Sequence, residues 1–177
     1  MRGALERAAI LAHALVGVAE TEAQQAYADY RFDNLARTIY ELVWDEYCDW
    51  YIEMAKVTLY DENATQADKD GVCATLIDVL DGLLRALHPF MPFITEEIWQ
   101  RIKAQAGASG ETIMLQPWPV ANESRIDAGA EADIEWVKAL MLGLRQIRGE
   151  MKISMAKRID IIVANARAED LRRLADF

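Results

Sequence analysis

The stretch DNLARTIYELVWDEYCDWYIEMAKVTL, residues 33–59, decides the fold. Leu35, Ile39, Leu42, Val43, Trp44, Tyr47, Trp50, Tyr51 and Met54 recur mostly at spacings of three and four, the period of a helix face laid against a core. Between them Arg37, Glu41, Asp45, Asp49 and Glu53 step along at i, i+4, which is a charged line for solvent. The carboxylates share a line of their own, turned from the apolar face, with nothing there to raise a pKa, so they read as a solvated stripe and not as a catalytic pair. The same helix predicts that Trp44 and Trp50 are at least partly buried. Asp33 suits the N-cap, although the Glu or Gln of a capping box is missing because position 36 is Ala.

The helical period continues on both sides. Leu5, Ala8, Ala9, Ala12, Leu15 and Val16 mark an earlier helix, ended by a break at Tyr30-Arg31-Phe32. Asp61 to Lys69 reads as a polar loop running into a helix with Val72, Leu76, Leu80, Leu83, Leu84 and Leu87 on one face. Asp78, Asp81 and Arg85 fall on the opposite side. His88-Pro89 stops that helix, since the residue before proline is pushed out of the α region. Thr95 is placed to cap a short helix with Glu96 and Glu97 in its first turn. Ile98, Trp99 and Ile102 give it a buried face, and Gly107 to Gly110 end it. Glu111 to Pro119 reads as an extended crossing segment.

A further helix runs from Glu131 to about Arg148, with Ile134, Val137, Leu140, Met141, Leu144 and Ile147 on one side. Arg158 to Val163 is a β-branched run and the one convincing strand. Ala168 to Phe177 reads as a last helix. A lone strand is not stable, so its partners are expected outside this chain, in a longer polypeptide. The predicted fold class is mainly α: a helical bundle over 1–120, then a C-terminal helix and the start of a small α/β appendix over 121–177.

Bulk properties narrow the function. A chain of 177 residues suits one globular domain with a small appendix, and 53% hydrophobic residues supply its core. No apolar run approaches the roughly 20 residues that span a bilayer. Met1 to Glu20 lacks the layout of a signal peptide, so a cytoplasmic location is expected. Cys48 and Cys73 lie 25 apart in helical stretches and read as core thiols, not as a disulfide or zinc framework. The net charge of −10 is uneven: residues 1–137 hold 10 Lys/Arg against 24 Asp/Glu, and residues 138–177 hold 9 against 5. The basic end is where a phosphate backbone can be met.

Catalytic signals are missing. There is no Gly-rich phosphate loop, no His-x-x-x-His and no serine elbow. His13 and His88 stand 75 residues apart, and His88, before Pro89, suits a capping or core role. No metal, cofactor or enzymatic activity is expected of this chain. Tyr27, Tyr30, Phe32, Tyr40, Trp44, Tyr47, Trp50 and Tyr51 are types on which unpaired RNA bases stack. At helical spacing most of those after Tyr40 must serve the core, whereas Tyr30 and Phe32 sit at a helix junction.

Five strings carry a family resemblance. Tyr30-Arg31-Phe32-Asp33, with Trp44-Asp45-Glu46-Tyr47-Cys48-Asp49-Trp50-Tyr51-Ile52-Glu53, resembles the anticodon-domain helix of valyl-tRNA synthetases. His88-Pro89-Phe90-Met91-Pro92-Phe93-Ile94-Thr95-Glu96-Glu97-Ile98-Trp99 resembles a string shared by the valyl, leucyl and isoleucyl enzymes. Gln116-Pro117-Trp118-Pro119 and Ile147-Arg148-Gly149-Glu150-Met151 match in order and spacing. Cys48-Asp49-Trp50-Tyr51 separates valyl from its cousins. After Ile153-Ser154 the family has Pro-Gly where this chain has Met155-Ala156, which leaves the turn, and the placement of Lys152 and Lys157, open. Lys152 to Lys157 is superficially similar to the ATP loop Lys-Met-Ser-Lys-Ser, but the order is wrong and no His-Ile-Gly-His accompanies it.

The resemblance implies a class Ia anticodon-binding bundle that grips the anticodon arm of valine tRNA. ATP and Mg would then belong to a catalytic domain elsewhere in the same polypeptide. It also implies a set of RNA-binding candidates at helix ends. Arg31 is placed to stack on or hydrogen-bond a base, Phe32 to stack, and Asp33 and Asn34 to read base edges, with Arg37 beside them. Arg145, Arg148, Lys152 and Lys157 are the phosphate candidates. Competing readings make Asp33 a helix cap and Phe32 a lid on the core. The equivalent domain of an isoleucyl or leucyl enzyme, or a helical protein–protein adaptor, remains the alternative function.

Overall fold

A computed structural model of the chain describes residues 21–120, 127–154 and 156–176. The helix expected over Leu5–Val18 lies outside the described residues. The helices are α1 (21–28), α2 (Phe32–Glu41), α3 (Ile52–Leu59), α4 (Gln66–Leu87), α5 (Pro92–Ile102), α6 (Ala128–Glu150) and α7 (Ala168–Asp176). A π-helical stretch, Leu42–Tyr51, joins α2 to α3, and a 3₁₀ turn occupies Ile113–Leu115.

The π segment explains why one expectation fails. In α-winding Trp44 shares a face with Tyr47 and Tyr51, and at least partial burial was expected of it. With i→i+5 bonding a turn takes in roughly four to five residues, so Leu42, Tyr47 and Tyr51 line up and Trp44 swings to the far side. Leu42 and Tyr51 are buried, Trp50 is half-buried, and Trp44 is 55% exposed. Burial pushes the Tyr51 phenol up to about 12 and raises Tyr47 as well. The Tyr47 hydroxyl donates to the Leu76 carbonyl at 3.0 Å, fixing the π segment on α4. The charged line Arg37, Glu41, Asp45, Asp49 and Glu53 is exposed, as its spacing predicts.

α4 starts in a reciprocal cap hidden in the polar 61–69 stretch. The Asp68 amide donates to Thr65 Oγ1 and the Thr65 amide donates to the Asp68 carboxylate, both at 3.2 Å. α5 begins at Pro92, whose fixed φ suits the first helical position. Thr95 is therefore not a cap. It is buried inside α5, donates to the Met91 carbonyl at 2.8 Å, and meets His88 Nδ1 at 2.8 Å.

Asp81 and Arg85 do not face solvent opposite the α4 core face. Asp81 is buried because Trp99 Nε1 donates to it at 2.9 Å and Arg85 Nε lies 2.9 Å from its second oxygen. Arg85 also donates to the Pro117 carbonyl at 3.0 Å. This polar tie joins α4, α5 and the crossing segment across a core of Leu84, Trp99 and Ile113. A second core unites Leu42, Tyr51, Val79 and Leu83 with Ile134 of α6, and a third packs Ala23 and Ala26 on Leu35 and Ile39. Ile134 thus brings α6 onto the bundle.

Two further expectations are corrected. Arg158–Val163 forms no strand, and no strand occurs among the described residues; without a ladder partner Ile161 and Ile162 stay exposed. Cys73 is not a core thiol: α4 turns Val72 inward and leaves Cys73 exposed, while Cys48 is half-buried.

α7 docks through charge. Buried Asp133 accepts from Arg173 Nε at 2.7 Å and from Arg172 Nη2 at 3.0 Å, and Arg173 lies 5.8 Å from the Trp136 ring centre. Burial alone would raise the Asp133 pKa, but the two guanidinium hydrogen bonds win and hold it low.

Candidate nucleic-acid interface

The first candidate group forms where α1 turns into α2. The Arg31 amide donates back to the Ala26 carbonyl at 2.8 Å, closing α1 in a left-handed cap with Tyr30 at φ +56°. Glycine is the ordinary occupant of that conformation, because a Cβ there costs about 1–2 kcal/mol. Tyr30 is nonetheless 80% exposed. A large ring held out at a strained position is the kind of local cost that accompanies function.

Arg31, the residue before α2, is exposed. Its Nε and Nη2 reach the two Asp33 oxygens at 3.0 and 2.9 Å, and Nη2 also approaches Asn34 Oδ1 at 3.4 Å. The Arg31 hydrogen bond holds the Asp33 carboxyl down at about 2. Asp33 is therefore not the N-cap; Arg31 occupies that position and its guanidinium engages the carboxylate. Phe32 is 47% exposed and meets Tyr27, Tyr30 and Phe90 edge to face, with centroids 6.0, 6.3 and 6.2 Å away. It is both lid and outward ring. Arg37 lies exposed one turn along α2.

Next along the same rod is an aromatic pair outside the candidate set, its second ring expected to serve the core. Tyr40 and Trp44 stack with 14° between their planes and 6.4 Å between centroids, and both are mostly exposed. Their i, i+4 spacing with charged neighbours on either side was the available signal.

The basic group sits on the C-terminal half of α6 and the loop after it. Arg145 lies over the Trp50 ring, 5.3 Å from its centre, and Lys138 is 5.8 Å from the same ring. Lys138 is buried between Glu46 and Glu135; burial opposes its charge, but the bonds to both carboxylates keep its pKa raised. Arg148 is half-buried, and Nη1 and Nη2 donate to the carbonyls of Ser154 and Lys157 at 2.9 and 2.8 Å. Lys152, at φ +52°, and Lys157 are exposed. The Lys157 amide donates to the Ser154 carbonyl at 3.0 Å, so a turn closes there without the family's Pro-Gly.

The structure thus gathers Arg31, Phe32, Asp33 and Asn34 at one junction and Arg148, Lys152 and Lys157 at another. Among the described residues no hydrogen bond, ion pair or ring contact joins the two groups. No set of three or more His, Cys, Asp or Glu there is arranged to hold a metal ion.

A family profile described as the anticodon-binding domain of tRNA ligase matches residues 15–163. The chain belongs to this family. The match takes in both junctions and leaves α7 beyond it. Among curated proteins the chain is 48% identical over 153 residues to a valine–tRNA ligase of Coxiella burnetii. That alignment covers 86% of this chain and 17% of the relative. No described helix is long and apolar enough to cross a membrane.

Proposed function

We propose that the chain is the anticodon-arm recognition module of a valine–tRNA ligase, whose catalytic domain, elsewhere in the same polypeptide, uses ATP and Mg to charge valine tRNA. The observation that carries this reading is the junction Tyr30–Asp33, which resembles the valyl enzymes in sequence and is solvent-facing in the fold. Arg31 and Asn34 offer hydrogen-bond groups to base edges, Phe32 and Tyr30 offer ring faces, and Asp33 holds Arg31 in plane. Arg37, Arg145, Arg148, Lys152 and Lys157 supply the positive field for flanking phosphates. The acidic body repels RNA elsewhere, which favours specificity over non-specific affinity.

The test is aminoacylation of valine tRNA and its anticodon variants by the full-length enzyme carrying Arg31→Ala or Asn34→Ala. Loss of one base-edge contact should reduce discrimination between valine and non-valine anticodons by roughly 1–3 kcal/mol. Unchanged discrimination in both variants would remove the junction from the interface.

A further inference from the structure

Arg148 is the least free of the phosphate candidates. Its side chain reaches past the end of α6 and hydrogen-bonds two carbonyls of the following loop, those of Ser154 and Lys157, at 2.9 and 2.8 Å. Its own carbonyl accepts the Ile153 amide at 2.9 Å, and the Lys152 amide donates to the Gly149 carbonyl at 3.2 Å. Residue 148 is therefore the point to which the loop is tied, through main chain and side chain. Favourable charge at a helix C-terminus does not explain this, because the accepting carbonyls lie outside the helix.

The tied loop carries Lys152 and Lys157, both exposed, and among the described residues neither forms an ion pair. Glu150, the nearest acid in sequence, takes part in a bond from Gln146 at 2.9 Å. Neutral carbonyls leave the Arg148 charge uncancelled, so the loop keeps its positive field. Lys152 also stands in the left-handed region at the helix end. The same closure after α5, where the Ala108 amide returns to the Lys103 carbonyl at 2.9 Å, uses Gly107 at φ +66°. At the end of α6 a lysine occupies the position that glycine fills more easily.

We propose that Arg148 is a positioning residue: it braces the loop so that Lys152 and Lys157 meet RNA phosphates as a preset pair, and does not itself bind phosphate. A flexible pair of lysines loses conformational freedom when it binds, and a braced loop loses less. The inference rests on the RNA-binding reading above and refines the role of one residue in it.

The roles separate in the full-length protein with a valine tRNA transcript, by measuring affinity across a salt series. Lys152→Ala with Lys157→Ala should weaken binding and flatten the salt slope by about 1.5, at roughly 0.7–0.9 per phosphate contact. Arg148→Lys keeps the charge but cannot span both carbonyls, and should lose most of what the double variant loses. Added to the double variant it should change nothing further. Arg148→Gln serves as a second probe, and amide hydrogen exchange at 152–157 should quicken in both. Wild-type binding by Arg148→Lys, or a loss fully additive with the double variant, overturns the brace. If the double variant binds like wild type, the phosphate reading fails and the proposal with it; faster exchange in Arg148→Lys would then mark the tie as purely structural.

Discussion

Arg31 grips Asp33 with two nitrogens, Nε and Nη2, at 3.0 and 2.9 Å, across the single residue Phe32. The pair fixes the guanidinium plane beside the Phe32 ring without burying either charge. An exposed pair contributes little to stability, so its value lies in orientation. It also has a pH signature. The Asp33 pKa is lowered to about 2 by the Arg31 bond. A depressed carboxylate pKa favours the folded pairing above the ordinary value near 3.9, and the pairing is lost as pH falls toward 2. Carboxyl-carbon NMR should show Asp33 titrating well below the other exposed aspartates, and returning toward them in Arg31→Ala. Ordinary titration in the wild-type protein would show that the grip does not persist in solution.

Asp81 is the polar centre of the bundle and the sharpest test of its packing. Asp81→Ala leaves the Trp99 indole N–H without its acceptor and takes the counter-charge from the Arg85 guanidinium, which keeps the Pro117 carbonyl. The expected cost is about 2–4 kcal/mol, from unsatisfied buried donors. Asp81→Asn keeps an acceptor for Trp99 and loses the ion pair, so it should cost roughly half as much. Urea unfolding monitored by far-UV circular dichroism measures both. Equal stability of the two variants would mean that the tryptophan bond contributes nothing.

The docking of α7 should be local and acid-sensitive. Asp133 faces Arg172 and Arg173, and Arg173 is also held by Glu169 at 2.7 Å, with Asp170 at 3.9 Å. The folded Asp133 pKa is depressed, so docking is favoured above the ordinary carboxylate value and weakens as pH falls through the lowered one. Asp133→Asn removes the charge at neutral pH. Hydrogen exchange at 168–176 should then accelerate while α4 and α5 keep their protection. Uniform acceleration across the bundle would show that α7 is integral to the core.

Much of this architecture was legible in the sequence, and the failures have physical causes. The apolar faces of α2, α4 and α5 follow from a 3.6-residue period, and Leu35, Ile39, Leu83, Leu84 and Trp99 are buried as that period requires. On α6 only Ile134 of the expected face is buried, while Met141 and Ile147 are exposed because the C-terminal half of the helix runs past the bundle core. Trp44 was misplaced because the period itself changes in the π segment. Asp81 was sent to solvent because periodicity ranks residues by type and cannot foresee that an indole N–H will seek a carboxylate. The Thr65–Asp68 cap was hidden because Asp replaces the usual Glu or Gln. Arg158–Val163 has strand-forming residues and no strand to pair with. At the proposed interface, residue types pointed to both junctions, but only the fold shows that Arg148 is tied to carbonyls.

The left-handed cap residues give the last prediction. Tyr30, Gly107 and Lys152 each close a helix at φ between +52° and +66°, and only one of them is glycine. Replacing Lys152 by Ala or by Gly removes the same charge and the same side-chain reach. The two variants then differ in the cost of holding a Cβ in the left-handed region, about 1 kcal/mol in favour of Gly. Gly107→Ala should lose a similar amount, and since nothing lies within 4 Å of the added carbon, the loss is conformational and not steric. Both Lys152 variants should weaken RNA binding equally, because both delete the ammonium. Lys152→Gly should therefore be the more stable protein and an equally poor binder, which is the pattern expected where a strained residue is kept for function. Thermal unfolding beside a salt-dependent binding series reads both quantities. If the Ala variant matches the Gly variant in stability, Lys152 is not held left-handed in solution, and the strain argument for its role falls.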